Sequence, residues 1–206
     1  MMGKIRRARH SSRWPMIILA VFLCIGLVIP LTTLPSSQGN QGQQQAVDVD
    51  ALRARIDNLK AAMQISPENA DLIIQLGNTQ YDLGRVLDSK GLFQESAEQF
   101  SLAVKTYQKA LAVVPDNLDV IVDMATAAFF SDDKDTAKSA FEKAIALDPQ
   151  HLIARYNYGV FLLQAMGDNK GAVEQWEAAL AAQPDAATAQ ILQELINAYR
   201  DKEGNK

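Results

Sequence analysis

Cysteine occurs once in this chain of 206 residues, at Cys24, and histidine twice, at His10 and His151. A single cysteine excludes an intramolecular disulfide framework and a cysteine-based zinc site. His10 falls among basic residues, and His151 opens a helix after Pro149-Gln150, where a lone histidine serves as a surface or cap residue rather than a base or ligand. The chain has no Gly-x4-Gly-Lys-Ser/Thr to cradle phosphate and no His-Glu-x-x-His. Asp132-Asp133 is explained as turn chemistry. No catalytic, cofactor-binding or metal-ligating set is legible. The expectation is a protein without cofactor or metal that is not an enzyme.

Charge is missing from one long stretch. Between Trp14 and Val47 there is no Asp, Glu, Lys or Arg. Before it, residues 1–13 form a basic tail holding Lys4, Arg6, Arg7, Arg9 and Arg13 and no acid. Their charge of +5 leaves −9 on the remainder of a chain whose net charge is −4. That sign on the remainder excludes a nucleic-acid partner. Residues 14–34 are almost wholly apolar, and a helix of that length rises about 31 Å, enough to cross the hydrocarbon core of a bilayer. Trp14 suits the interface and Pro15 the first helical turn, while Pro30 kinks or ends the span. A cleaved signal peptide is the rival reading, but no Ala-x-Ala-like site follows the apolar run. A lipoprotein would need small residues before Cys24, where Phe22-Leu23 stand. The positive-inside rule then puts the N-terminus in the cytoplasm and the rest of the chain across the membrane, in the periplasm or outside the cell.

Residues 35–47, rich in Gln, Gly and Ser, read as a flexible tether. Residues 48–66 follow as a helix whose Leu52, Ile56, Leu59 and Met63 make one apolar stripe. That stripe suits either a cap on the domain that follows or a short coiled-coil stem.

One pattern then comes round three times: Tyr107-x2-Ala110-x4-Pro115, Phe141-x2-Ala144-x4-Pro149 and Trp176-x2-Ala179-x4-Pro184. An alanine stands four residues before each aromatic, at Ala103, Ala137 and Ala172, and the prolines lie 34 and then 35 residues apart. Alanine, aromatic and alanine at i, i+4 and i+7 lie on one side of a helix, small, large, small. The small residues let a neighbouring helix approach, the ring fills the gap, and proline stops the helix. A fixed period of this size marks a solenoid of helix-turn-helix units. An ordinary helical bundle is the rival reading, against which the registered copies argue. The pattern resembles the tetratricopeptide repeat family over residues 68–184. Leu76-Gly77 and Tyr158-Gly159 supply the family's large–small pair in the first helix of a repeat, and Met124-Ala125 replaces it in the middle copy. The first repeat carries a surplus of about fourteen residues between Gly84 and Ala103, two heptads, which elongates both of its helices around a turn at Lys90-Gly91. Val86, Leu87, Leu92, Phe93, Ala97 and Phe100 keep a helical apolar rhythm through it. The reading is all-α: helices near 48–65, 69–89, 92–113, 117–130, 133–147, 151–166 and 169–182, closed by a capping helix within 185–202. The third repeat's single extra residue is expected in the turn Gly167-Asp168-Asn169.

What the resemblance implies is a concave groove, lined by the first helices, that binds an extended peptide or a partner helix. Carried over by register, it includes Asp71, Asn78, Tyr81 and Asp82 from the first repeat, Asp119, Thr126, Phe129 and Phe130 from the second, and Tyr156, Leu163 and Gln164 from the third. Tyr81, Phe129 and Tyr156 would form an aromatic floor. Family members that grip acidic C-terminal tails use lysines and arginines at such positions, and these positions carry only Asp71, Asp82 and Asp119. The expected partner is therefore a protein or peptide that is apolar or basic. The chain resembles membrane-anchored repeat proteins of bacterial envelopes, including those that hold apocytochromes during c-type cytochrome assembly. It thus implies a scaffold; the alternative is a holdase for secreted or unfolded chains.

Overall fold

A computed structural model describes residues 48–200, which contain eight α-helices and no strand. They are α1 (Val49–Ile65), α2 (Ala70–Ser89), α3 (Phe93–Val113), α4 (Leu118–Phe130), α5 (Lys134–Leu147), α6 (Leu152–Phe161), α7 (Asn169–Ala181) and α8 (Ala186–Arg200). The basic tail, the apolar span and the tether lie outside the described residues. Among those described, no helix is long and apolar enough to cross a membrane.

Short polar residues start the helices. Asn69, Asn117, Asp133 and Asp168 accept hydrogen bonds from backbone N–H groups of Leu72, Val120, Thr136 and Gly171. His151 does the same work with Nδ1, which accepts from the Ala154 N–H at 3.1 Å. Each such cap is worth about 1 kcal/mol, because it satisfies a donor the helix itself leaves open. Gly91 turns the chain between α2 and α3 with φ of +76°, a conformation costly for any residue with a Cβ. Helix α3 starts at Leu92 without a side-chain cap, and is tied back instead by the Ser96 hydroxyl, which donates to the Gly84 carbonyl at 2.8 Å.

The repeating stripe is the spine of the core. None of Ala103, Tyr107, Ala110, Ala137, Phe141, Ala144, Ala172, Trp176 and Ala179 is more than 1% exposed. The first helix of a repeat meets this stripe through glycine. A Cβ at Gly77 would come within 2.6 Å of the Tyr107 ring, and one at Gly159 within 2.7 Å of Trp176 Cδ1. Two helices can approach this closely only where one of them lacks a side chain.

The surplus of the first repeat lengthens α2 and α3 to 20 and 21 residues, against 13 for α4 and 14 for α5. Leu87 and Phe100 are buried, and the apolar rhythm holds that far. Leu92 and Phe93 depart from it, at 43% and 52% exposed, because they sit at the tip of the hairpin around Gly91. Helix α1 lays Leu52, Ile56 and Leu59 against Leu76, Leu83 and Leu87 of α2. Its stripe is thereby covered within the chain, which removes the basis for a coiled-coil stem. The third repeat's extra residue corrects another expectation. It is taken up by a π-helical turn, Leu162–Met166, at the end of α6, where the Asp168 N–H reaches back to the Leu162 carbonyl at 2.9 Å. A π turn holds one more residue than an α turn, so the insertion is absorbed before the loop and the following helix keeps its register.

Candidate functional site

The first helices α2, α4 and α6 carry the candidate groove. On α2, Asp71, Asn78 and Asp82 are exposed and Tyr81 is half-buried. On α4, Asp119 is exposed, while Thr126, Phe129 and Phe130 are half-buried, as are Tyr156, Leu163 and Gln164 in the third repeat.

The aromatic residues do not form a free-standing floor. They are the outer edge of a ring network that runs into the core. Tyr81 meets Phe100 edge-on at 5.3 Å between centroids, and Phe100 stacks on Phe130 at 5.0 Å. Phe130 stacks on Phe129 at 5.2 Å, which stands edge-on to Phe161 at 5.7 Å. Such pairs add about 0.5–1.5 kcal/mol each beyond their burial, so these rings hold neighbouring repeats together as well as offering a surface. Tyr156 also packs against the core, and its carbonyl accepts from Trp176 Nε1 at 3.2 Å.

Two polar side chains are partly committed to the wall. The Asn78 carboxamide oxygen accepts from the Tyr107 hydroxyl at 2.8 Å, leaving its nitrogen to donate. Asn157 Nδ2 donates to the Thr126 hydroxyl at 3.2 Å, which in turn donates to the Val122 carbonyl, linking α6 to α4. The carboxylates have no such ties. Asp71, Asp82, Asp119 and Asp123 form no ion pair among the described residues.

Asp123 is the member the sequence reasoning passed over. It lies one turn along α4 from Asp119, and burial, helped by the charges of Asp119 and Asp82, pushes its carboxyl up to about 6. Burial raises Asp82 too, although Arg85 and then Arg55 pull it back. Burial likewise pushes the Tyr81 hydroxyl upward, and Asp123 and Asp82 add to the rise. Arg85, outside the predicted groove positions, tempers the acid at the α2 end. No cation among the described residues offsets the rise at Asp123. The arrangement holds a negative field beside half-exposed rings. Among the described residues no group of His, Cys, Asp and Glu could hold a metal ion.

Paired helices with a buried small–large–small spine and a shallow acidic, aromatic-edged surface define an α-solenoid. The tetratricopeptide repeat model matches residues 122–165, which run from α4 through α5 and α6. A crystal structure of MamA is similar to this chain with a TM-score of 0.54, at 21% identity, covering 75% of this chain and 81% of that one. A tetratricopeptide repeat protein from Parabacteroides merdae is similar with a TM-score of 0.53, at 20% identity, covering 76% and 56%. Among curated proteins, a BBSome complex member of Xenopus tropicalis is 31% identical over 124 residues, 60% of this chain. This chain spans about a fifth of that relative, 21% of its length. The described residues have the fold of tetratricopeptide-repeat proteins, and the family's model covers residues 122–165 of them.

Proposed function

We propose that the chain is a membrane-anchored adaptor whose repeat array holds an apolar or basic segment of a partner protein in the groove of α2, α4 and α6. The observation that carries this reading is a set of carboxylates, Asp82, Asp119 and Asp123, that form no ion pair among the described residues and share α2 and α4 with the half-buried rings of Tyr81, Phe129 and Phe130. A lysine- or arginine-bearing peptide with apolar side chains would neutralise the field and cover the rings, whereas an acidic tail would be repelled. The anchor rests on the sequence of residues 14–34 and the basic residues before it, which put the array in the periplasm or outside the cell. The order anchor, tether, array also suits work beside the bilayer, such as assembling an envelope complex of the c-type cytochrome kind.

Crosslinking in intact membranes, followed by identification of what is captured, tests the adaptor. One or two stoichiometric partners, lost from an Asp82→Lys, Asp119→Lys, Asp123→Lys variant, are expected. Many substoichiometric partners would instead make it a holdase for unfolded chains, a role the aromatic edge also suits. A Ser37→Cys variant reports the topology. It should react with a membrane-impermeant thiol reagent added to intact cells, and reaction only after lysis would put the array in the cytoplasm.

A further inference from the structure

A second concave surface lies to one side of α2. Leu76 and Gln80 lie roughly 100–160° around α2 from Asn78, Tyr81 and Asp82, since successive residues rotate by about 100°. There they floor a cleft of about 750 Å³ between α1 and α3. The two helices are joined near their N-terminal ends by Arg53 and Glu95, 3.3 Å apart, and the cleft opens farther along them. Its residues on α3 run from Leu102 to Ala112, a length of about 15 Å along the axis.

We infer that this cleft binds an acidic, amphipathic segment of a partner protein, distinct from whatever occupies the concave groove. The charge of the lining and its apolar floor carry the inference. Lys60, Lys105 and Lys109 line the cleft and no Asp or Glu does, which reverses the sign of the groove. None of the three lysines forms an ion pair among the described residues, whereas Lys134, Lys138 and Lys143 all do. Lys105 and Lys109 are moreover one helical turn apart, a like-charge spacing that costs an isolated helix a few tenths of a kcal/mol.

The cleft also has an apolar floor. Met63 and Leu76 line it, and Leu102 stands 41% exposed at its wall. Gln80, only 4% exposed, reaches the cleft and is tied to the Thr106 hydroxyl at 2.7 Å, which also stands 3.0 Å from the Leu102 carbonyl, so this part of the wall is fixed. Anchoring a segment here takes apolar side chains for the floor and carboxylates for the rim.

The chain's own undescribed segments do not meet that description. Residues 1–47 contain no Asp or Glu, and residues 201–206 contain no apolar side chain. A nucleic acid fits poorly, because the lining offers no aromatic ring on which a base could stack.

The test pans a displayed random peptide library, about 15 residues long to exceed the cleft, against the full chain in detergent and against a Lys60→Glu, Lys105→Glu, Lys109→Glu variant. All three lysines are exposed, and circular dichroism checks that the variant folds. Clones held by the parent and lost on the variant should combine acids with Leu, Ile, Met or Phe at helical spacing. A synthetic copy of such a clone should bind the parent at least roughly tenfold more tightly than either the lysine variant or Leu102→Asp. It should bind an Asp82→Lys, Asp119→Lys variant unchanged, which separates this cleft from the concave groove. No variant-sensitive clones, or clones that are basic or without apolar residues, would overturn the proposal. So would a peptide indifferent to Leu102→Asp, or an oligothymidylate of similar length that binds equally well, since either reports mere attraction of polyanions to lysine.

Discussion

Replacing Gly159 by alanine should destabilise the array even though alanine is the better helix former. A Cβ at Gly159 would fall within 2.7 Å of Trp176 Cδ1 and closer still to Nε1. The indole has little room to yield. It is fully buried, its Nε1–H donates to the Tyr156 carbonyl at 3.2 Å, and its ring stands 5.9 Å from that of Tyr199 on α8. Overpacking of this kind costs about 1–3 kcal/mol, against a gain of about 1 kcal/mol from helix propensity. A buried indole that cannot yield belongs at the upper end of that range, so the net loss is about 2 kcal/mol, which for a domain of this size lowers Tm by roughly 4–8 °C. Thermal melts of residues 46–206 followed by circular dichroism measure it. The cause is separated by a cycle with Trp176→Phe, whose smaller ring leaves space. In that background Gly159→Ala should cost at least about 1 kcal/mol less than in the parent. A Gly159→Ala variant as stable as the parent, or an additive cycle, would refute the close approach of α6 and α7 on which the repeat packing rests.

Three further outcomes follow from the same packing and charges. Ala144→Trp, at a fully buried position of the spine, should lose about 1–3 kcal/mol or more, because damage in the middle repeat weakens both neighbours; a melt within a degree or two of the parent would contradict it. The Asp123 carboxyl is raised in the folded state to about 6, so its contribution to stability is fully present below the unfolded value near 3.8 and is lost as pH rises through 6. Asp123→Asn should therefore melt above the parent at pH 7.5, by a margin that shrinks as pH falls to 4.5; a margin independent of pH would leave the carboxylate out of the account. Phe129→Ala should cost about 2 kcal/mol, less than a fully buried ring, because one face of Phe129 is packed on Phe130 and its edge region on Phe161. Combined with Tyr156→Ala it should abolish partner capture while also lowering Tm, and an unchanged melt would detach these rings from the core.

The helices were legible because their signals are local and redundant. Each stripe of alanine, aromatic and alanine ends at a proline, and capping residues such as Asn117 and Asp133 stand where the next helix begins, so the spans fall within a residue or two of expectation except where α6 gives way to the π turn. The placement of the extra residue was not legible, because a π turn leaves no mark in composition and the Gly167-Asp168-Asn169 loop looks able to hold it. Leu92 and Phe93 carry the right periodicity, but periodicity says nothing of how far a neighbour extends, and the hairpin tip has little to cover it. Asp123 was missed because its register position is held by Gln75 and Asn157 in the other copies, although its four-residue spacing from Asp119 marks the same helix face. The cleft between α1 and α3 was out of reach of sequence, since it joins residues from three helices whose packing order only the fold supplies.

Position-resolved photo-crosslinking in intact cells decides whether the partner lies on the side of α2, α4 and α6 that carries Asp82 and Asp119. A photoreactive residue is placed in turn at Asp82, Asp119 and Gln164 within the groove, and at the exposed Glu98 and Glu142 on the second helices α3 and α5. The groove positions should yield the same one or two crosslinked partners, and Glu98 and Glu142 should yield none of them. Crosslinks to those partners from the second helices alone, with the groove silent, would contradict that placement.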